Sequence, residues 1–435
     1  MSQVIILGFG VEGQAATRYF LSHTNKKLTV LDGGVHRHRS SSEFGNERNI
    51  AWYTDKDVDI IGRHDGTTLL RSPGIAPSHP IVKAALTQGM PVTTPTGYWL
   101  EHHAPKGTVT VTGTKGKSST VSMLSFILNQ LGFDSIGVGN IGAPPLDEVL
   151  PTAPYPVVEL SSYMMHDLPI GPYTHLVTSL YREHTTWHGT EAAYRAAKLR
   201  PFRFSPPAPG FAPKEVIETE HLPSSVTAFE KSVAFDGTSI LLGGEKLDVS
   251  SLHPQFASPT DRWALRAACA IALTLTDPLT LSDCLTHTLG DYRGLPHRQE
   301  IIPSTDERIW VDDALATVPE AVIQALSRWP SAPVTLLLGG ADRGQDFNAL
   351  AEFLAARNHI HTLAFGPIAA RAATALHDTG CSHTSLSTYN EALEHAALHT
   401  PKGGVILFSP GAASEPPFRA YTERAAMFKA TAEGA

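Results

Sequence analysis

At 435 residues the chain exceeds what one compact core holds, so two or three domains are expected; its apolar fraction of 42% and charged fraction of 17% exclude a disordered chain. A net charge of −8 with no concentrated basic block argues against nucleic acid as the main partner, and no run of about 18 apolar residues is present to span a membrane. The 21 histidines show no paired metal motif, the three cysteines (Cys269, Cys284, Cys381) are few and far apart, and the start at V-I-I-L has no charged lead, so a cytoplasmic protein without disulfides is expected.

The first segment reads as a βα unit. Val4-Ile5-Ile6-Leu7 is a buried parallel strand, Gly8-Phe9-Gly10-Val11-Glu12-Gly13 a glycine turn, and Gln14 to Ser22 a helix; the next strand, Leu28-Thr29-Val30-Leu31, ends in Asp32. This is G-x-G-x-x-G with an acid about twenty residues on, the pattern that cradles a dinucleotide diphosphate. It suits equally the diphosphate of a UDP-sugar with Asp32 near ribose or base, or a purely structural turn. Leu69 to Ile75 is a strand running into a rigid Ser72-Pro73-Gly74 turn, where open α/β sheets bind ligands. A helix from His79 to Gln88 and a strand near Pro91-Val92 complete a first domain, 1–95.

The second domain, 96–290, opens on V-T-V-T-G-T-K-G-K-S-S-T, Val109 to Thr120. A β-branched strand passes through Gly113, Thr114, Lys115 and Gly116 into a helix opened by Lys117, Ser118 and Ser119, so backbone N–H groups collect at the positive end of that helix. Lys117 would reach the terminal phosphates of ATP and a Ser118 or Ser119 hydroxyl would meet Mg2+. The loop departs from the full phosphate-loop pattern at Val111, where that pattern has glycine. Farther on, Ile136 to Gly142 is a glycine-rich strand end carrying Asn140. Pro156 to Ser162 places Glu159 at the end of an apolar strand, a costly position for a carboxylate without a cation or donor. The strand Leu176 to Leu180 leads to Glu183-His184, an acid–imidazole pair that could complete a Mg2+ site or be a polar loop. Tyr194 to Arg200 is helical by propensity, and Lys198 by itself reads as solvated. The stretch from Pro201 to about Pro223 is rich in proline and poor in pattern, short β-leaning segments follow it, and Arg262 to Leu275 is a helix. In the third domain, 291–435, strands at 300–302, 309–311, 334–338, 361–365 and 405–408 are mostly separated by helices, as in a doubly wound α/β sheet.

T-G-T-K-G-K-S-S-T, G-N-I-G, V-V-E-L-S-S, E-H-T-T-W-H, Y-R-A-A-K, G-L-P-H-R, L-L-L-G-G and S-P-G-A-A-S, in this order, resemble the Mur ligase family, most closely its glutamate-adding members, and the resemblance extends from Gly8 to about Phe428. The resemblance implies three α/β domains: a Rossmann-like UDP-binding domain, a central phosphate-loop ATPase, and a C-terminal domain that closes over the site. It also implies an ATP-dependent amide ligase that joins glutamate to UDP-N-acetylmuramoyl-L-alanine through an acyl phosphate. D-glutamate is the default, and the L-glutamate-adding branch is the alternative. The enzyme implied is a monomer with no nucleic-acid or membrane partner. Lys117 and Ser118 then correspond to the ATP-phosphate and Mg2+ residues, Glu159 and His184 to ligands of a second Mg2+, and Lys198 to a lysine carbamylated by CO2, the reverse of its solvated reading. Asn140 corresponds to a contact to the muramoyl substrate, Gly10, Asp32 and Ser72 to the UDP region, Arg298 and Asp312 to nucleotide contacts, and Thr317, Arg343, Ser414 and Tyr421 to the glutamate pocket.

Departures from the family pattern are Ser179 for asparagine, Glu183 for aspartate, Thr186 for an acid, Leu315 for lysine, Pro259-Thr260 for an H-N pair, and Arg343 for lysine. Arginine there replaces a point charge by a bidentate fork. Other readings are a folate-type or other Mur-type amide ligase, disfavoured by the complete glycine motif, and a weakened binding homologue, disfavoured by the joint presence of Lys117, Glu159, His184 and Lys198. A dehydrogenase leaves the phosphate loop unexplained.

Overall fold

A computed structural model of the chain describes residues 3–23, 27–34, 44, 48–63, 67–147, 153–168, 174–183, 185–249, 259–418 and 420–434. It divides into two compact units, Met1–Gly290 and Asp291–Ala435. No helix among the described residues is long and apolar enough to cross a membrane, and the three cysteines are unpaired.

The first unit holds two parallel sheets. The N-terminal one is ordered β3-β2-β1-β4-β5 (β1 Gln3–Leu7, β2 Leu28–Leu31, β3 Ile50–Tyr53, β4 Thr67–Arg71, β5 Val92–Thr93). Period-two alternation sends Val4 and Ile6 into one apolar layer and Ile5 and Leu7 into the other, so both faces are covered. Each fully covered aliphatic side chain contributes about 1.5–3 kcal/mol. The expected strand through Ile75 stops at Arg71, because the Ser72–Ile75 backbone closes a turn, with Ile75 N–H donating to Ser72 O at 3.0 Å. Helix Pro95–His102 then starts on Thr94, whose hydroxyl accepts from Gly97 N–H, with Pro95 at its first position.

The central sheet is ordered β11-β10-β9-β6-β8-β7 (β6 Val109–Thr112, β7 Gly137–Gly139, β8 Val157–Glu159, β9 Thr174–Val177, β10 Gly210–Ala212, β11 Val226–Ala228). Two differences from the sequence reading matter. The pattern-poor stretch after Pro201 contains β10 and helix Lys214–Glu220; a three-residue strand is too short to show a period. The strand expected to reach Leu180 ends at Val177, its last partner on β6 being Thr112, and this frees Thr178 and Ser179 for the loop described below. A small antiparallel sheet, β12-β13-β14 (Val233–Phe235, Ser239–Leu242, Glu245–Asp248), precedes helix Pro259–Ala272.

The second unit is one sheet, β15-β16-β20-β17-β18-β19 (β15 Glu300–Ile302, β16 Ile309–Asp312, β17 Val334–Gly339, β18 Ile360–Phe365, β19 His383–Leu386, β20 Val405–Phe408), parallel except for β15. Leu336, Leu338 and Leu407 enter one apolar layer and Leu337, Ile406 and Phe408 the other. In both units, therefore, loops leave parallel strands at a common carboxyl edge, where such sheets bind ligands.

Candidate active site

The phosphate loop leaves β6 at its carboxyl end. Gly113 has φ +149, and a Cβ there would stand 2.0 Å from Thr178 Oγ1. Gly116, at φ +85, caps helix Lys117–Gln130, whose first-turn N–H groups form the anion-facing end. The loop is braced from the stretch beyond β9. Thr114 N–H donates to Ser179 O at 2.9 Å and Lys115 N–H to Ser179 Oγ at 2.9 Å, while Thr178 Oγ donates to Lys115 O at 2.6 Å. Thr114 Oγ1 also lies 2.7 Å from Tyr194 Oη. Gly113→Ala is expected to destabilise the protein by about 2–4 kcal/mol, a clash plus backbone strain, read as a lower urea midpoint at unchanged slope.

Two lysines converge on this loop. Lys117 Nζ donates to Gly113 O at 2.9 Å and Thr114 O at 3.2 Å, and Lys198 Nζ donates to Gly113 O at 2.7 Å. Lys198 is 2% exposed, contrary to its solvated reading. Burial, and next the nearby Lys117 charge, push its pKa down to about 7. His175 holds the end of its helix: this buried imidazole has its pKa lowered to about 3 by burial, and its Nε2 lies 3.3 Å from Lys198 O.

Glu159 ends β8 beside Val111 of β6 and is 1% exposed. Its Oε1 accepts from Asn140 Nδ2 at 2.8 Å, while its buried Oε2 has no partner. An orphaned carboxylate oxygen on the strand next to the phosphate loop fits a cation. Ser118 is buried in the first helical turn and Ser119 half-buried beside it. Glu183 forms an ion pair with Lys115 at 2.8 Å, and His184 lies outside the described residues.

At the N-terminal glycine turn, Asp32 and Ser72 act as braces. Asp32 accepts from Phe9 N–H (2.9 Å) and Gly34 N–H (2.6 Å), and Ser72 Oγ donates to Gly8 O at 3.1 Å. Gly10 is exposed, with open space beside it. Glu12, unremarked in the sequence, is buried; burial raises its pKa, and it accepts the hydroxyl and N–H of Thr96, tying the turn to the helix that leads into the central sheet.

In the second unit the carboxyl ends of β16, β17 and β20 are laced together, with Gly411 N–H donating to Ala316 O at 2.8 Å and Ala341 N–H to Ala413 O at 2.9 Å. Thr317 and Arg343 are exposed on the first two of these loops, and Ser414 Oγ is buried without a partner on the third. Asp312 is buried, and His297 Nδ1 donates to its Oδ2 at 2.7 Å from a backbone at φ +61. Tyr421 meets His297 edge-on at 5.5 Å, and Arg298 is exposed on the same turn. His297, Glu300 and Asp312 have ligand atoms within 4.8 Å of one another. They already serve each other, however, as Glu300 also accepts from His297 N–H at 2.9 Å. Asp313 has its pKa raised to about 7 by burial and accepts from Ser409 Oγ at 2.7 Å.

Residues 111–212 match the Mur ligase middle domain. A UDP-N-acetylmuramoyl-L-alanine--L-glutamate ligase of Salinispora tropica is 32% identical over 437 residues, which span 98% of this chain and 96% of that protein. The chain belongs to the Mur ligase family. A UDP-N-acetylmuramoylalanine--D-glutamate ligase of a Thermotoga species is 26% identical over 441 residues, 97% of this chain and 96% of the relative. The solved UDP-N-acetylmuramate-alanine ligase of Thermotoga maritima aligns at a TM-score of 0.57 and 15% identity over 98% of each chain, a likeness of fold.

For a Mur ligase, this chain's departures have visible local consequences. Ser179 braces the phosphate loop through its hydroxyl and carbonyl. Leu315 offers no cation, and its N–H donates to His297 O at 3.1 Å. Thr186 is exposed. Sequence reasoning gave no role to Arg71, Glu12, His175, His297 or Asp313, which act on other residues. Of these, Glu12 lies within the glycine motif and His297 within G-L-P-H-R, and neither motif shows what its side chain would brace.

Proposed function

We propose that this Mur ligase is an ATP-dependent, ADP-forming amide ligase that joins L-glutamate to UDP-N-acetylmuramoyl-L-alanine, a step of peptidoglycan precursor synthesis. The observation that carries the reading is the buried, half-partnered Glu159 on the strand beside a phosphate loop that gathers Lys117 and Lys198. An acceptor carboxylate oxygen attacks the γ-phosphorus of ATP, the bond to the bridging oxygen breaks, and ADP leaves. The glutamate amine then attacks the acyl phosphate carbon, loses a proton, and phosphate departs. Lys117 and the helix N–H groups stabilise the transferring phosphoryl charge. Ser118 and Glu159, with His184 by family resemblance, would hold Mg2+, which supplies further charge neutralisation.

In this reading Gly113 to Ser119, Arg298 and Asp312 bind ATP, and Gly10, Asp32 and Ser72 serve the UDP moiety. Asn140 serves the muramoyl group, and Thr317, Arg343, Ser414 and Tyr421 the incoming amino acid. Segments 1–95, 96–290 and 291–435 are the working domains of a cytoplasmic monomer. Lys198 is the carbamylated lysine: with a pKa of about 7 it offers a neutral amine to CO2, and its carbamate would turn a like-charge pair with Lys117 into an opposite-charge one.

Support for the L isomer is the higher identity to the relative named for L-glutamate, 32% against 26%. The test is ADP release with UDP-N-acetylmuramoyl-L-alanine, Mg2+, bicarbonate and either isomer. L-glutamate is expected to support turnover at least about tenfold faster than D-glutamate. A preference for D would reverse the isomer, and no turnover with either would end the ligase reading.

A further inference from the structure

Arg71 ends β4 with a side chain fully shielded from solvent, and its guanidinium engages both the turn after β4 and the segment that follows β8 of the central sheet. On the N-terminal side, Nη1 donates to Ile75 O at 2.7 Å and Pro73 O at 3.0 Å, fixing the turn that Ser72 locks onto Gly8. On the central side, Nε donates to the Asp167 carboxylate and Nη2 to Tyr163 O at 2.9 Å. The guanidinium also lies 5.3 Å from the centre of the Trp187 ring. That ring stacks on Tyr163 at 4.4 Å, and Trp187 Nε1 donates to Gly74 O at 3.3 Å.

These partners have informative places in the chain. Tyr163 and Asp167 lie just beyond Glu159, at the end of β8. Trp187 follows the Glu183-His184 pair. The Ser72–Ile75 turn flanks the glycine motif of β1. One buried cation thus joins the turn at the sugar-nucleotide end to both segments that leave the proposed metal and phosphate region. Lysine could not replace it, since its three donors radiate from a single point and cannot serve a carboxylate and carbonyls on three sides. With its N–H groups so engaged and no solvent exposure, Arg71 has no means of touching substrate.

We infer that Arg71 is a positioning residue that sets the span between the sugar-nucleotide turn and the phosphate loop, so that an acceptor held by its UDP end presents its carboxylate to ATP. This rests on the ligase reading above. Uncoupling the two ends should therefore cost the acceptor and spare the other substrates.

The test compares wild type, Arg71→Met, Arg71→Lys and the milder Asp167→Asn, which keeps an oxygen acceptor for Nε should the arginine variants fold poorly. Steady-state ADP release is measured while each substrate is varied in turn. The kcat/KM for UDP-N-acetylmuramoyl-L-alanine is expected to fall at least about tenfold in Arg71→Met and Arg71→Lys and less in Asp167→Asn, with the KM for ATP and for glutamate within about twofold of wild type. Amide hydrogen exchange on the unliganded proteins should quicken at 72–75 and 185–188 and stay unchanged in β6 and β8. KM values for ATP and glutamate that rise as much as that for the acceptor, an acceptor kcat/KM within about twofold of wild type, or unchanged exchange in those two segments would overturn the inference. A wild-type protein that releases no ADP would overturn the ligase reading instead, leaving exchange to decide the coupling.

Discussion

Lys117→Ala is expected to lower ADP release by about 10²–10³-fold while leaving the fold intact. The side chain is half-buried in the first turn of its helix, and its ammonium is held over the loop by the Gly113 and Thr114 carbonyls. That arrangement pre-orients a cation before any phosphate arrives, so charge developing on the transferring group meets a fixed partner with little reorganisation. Alanine is the best helix former, so the helix should persist and the melting temperature should move by only a few degrees, about 1 kcal/mol at most. The variant has a second expected effect. The Lys117 charge is one of the causes that lower the Lys198 pKa, so removing it shifts that amine back toward its ordinary range. ADP release by a coupled assay decides the matter: turnover above about a tenth of wild type would contradict the phosphate role.

The phosphate loop was legible because its chemistry is local. A β-branched strand, glycines and a lysine-serine helix start lie within a dozen or so residues, and the structure arranges them as backbone geometry requires. Glu159 was legible for a different reason, since a carboxylate ending an apolar strand is costly and must be compensated. Lys198 by itself misled. Its helix is polar enough to read as solvent-facing, and its burial depends on His175 of β9 and the loop after β6, which are contacts distant in sequence. Arg71 was hidden in the same way: before a Ser-Pro-Gly turn it reads as the last residue of a strand, and nothing nearby announces Asp167 or Tyr163. Asp32 was legible as an acid at a strand end, yet its Oδ1 braces the glycine turn through Phe9 N–H and its Oδ2 accepts from Gly34 N–H of its own loop, donors that a spacing rule cannot weigh. Short strands were the other loss. β10, β14 and β19 span three or four residues each, too few for a period to rise above the surrounding composition.

Lys198→Ala tests the proposed carbamate, and its signature is a dependence on pH and bicarbonate beyond simple loss of activity. Burial and the Lys117 charge push the folded amine down to about 7 from its ordinary value of 10.5, so between these values the unfolded chain binds more protons than the folded one. Stability contributed at this site therefore rises with pH across that window and is lowest below pH 7, where the buried amine is charged beside Lys117. The melting temperature of Lys198→Ala relative to wild type should be most favourable near pH 6, and the advantage should shrink steadily toward pH 9. Activity should run the other way, falling about 10²-fold in the variant. Carbamylation needs the neutral amine: its nitrogen bonds the carbon of CO2 and releases a proton to solvent. Wild-type protein depleted of CO2 should accordingly recover activity with added bicarbonate at pH 8 and much less at pH 6. A short carboxylate such as formate should partly restore the alanine variant by placing negative charge in the vacated space near Lys117. A fully active Lys198→Ala, or wild-type activity indifferent to CO2 at both pH values, would remove the carbamate and leave Lys198 as a buried brace for the Gly113 carbonyl.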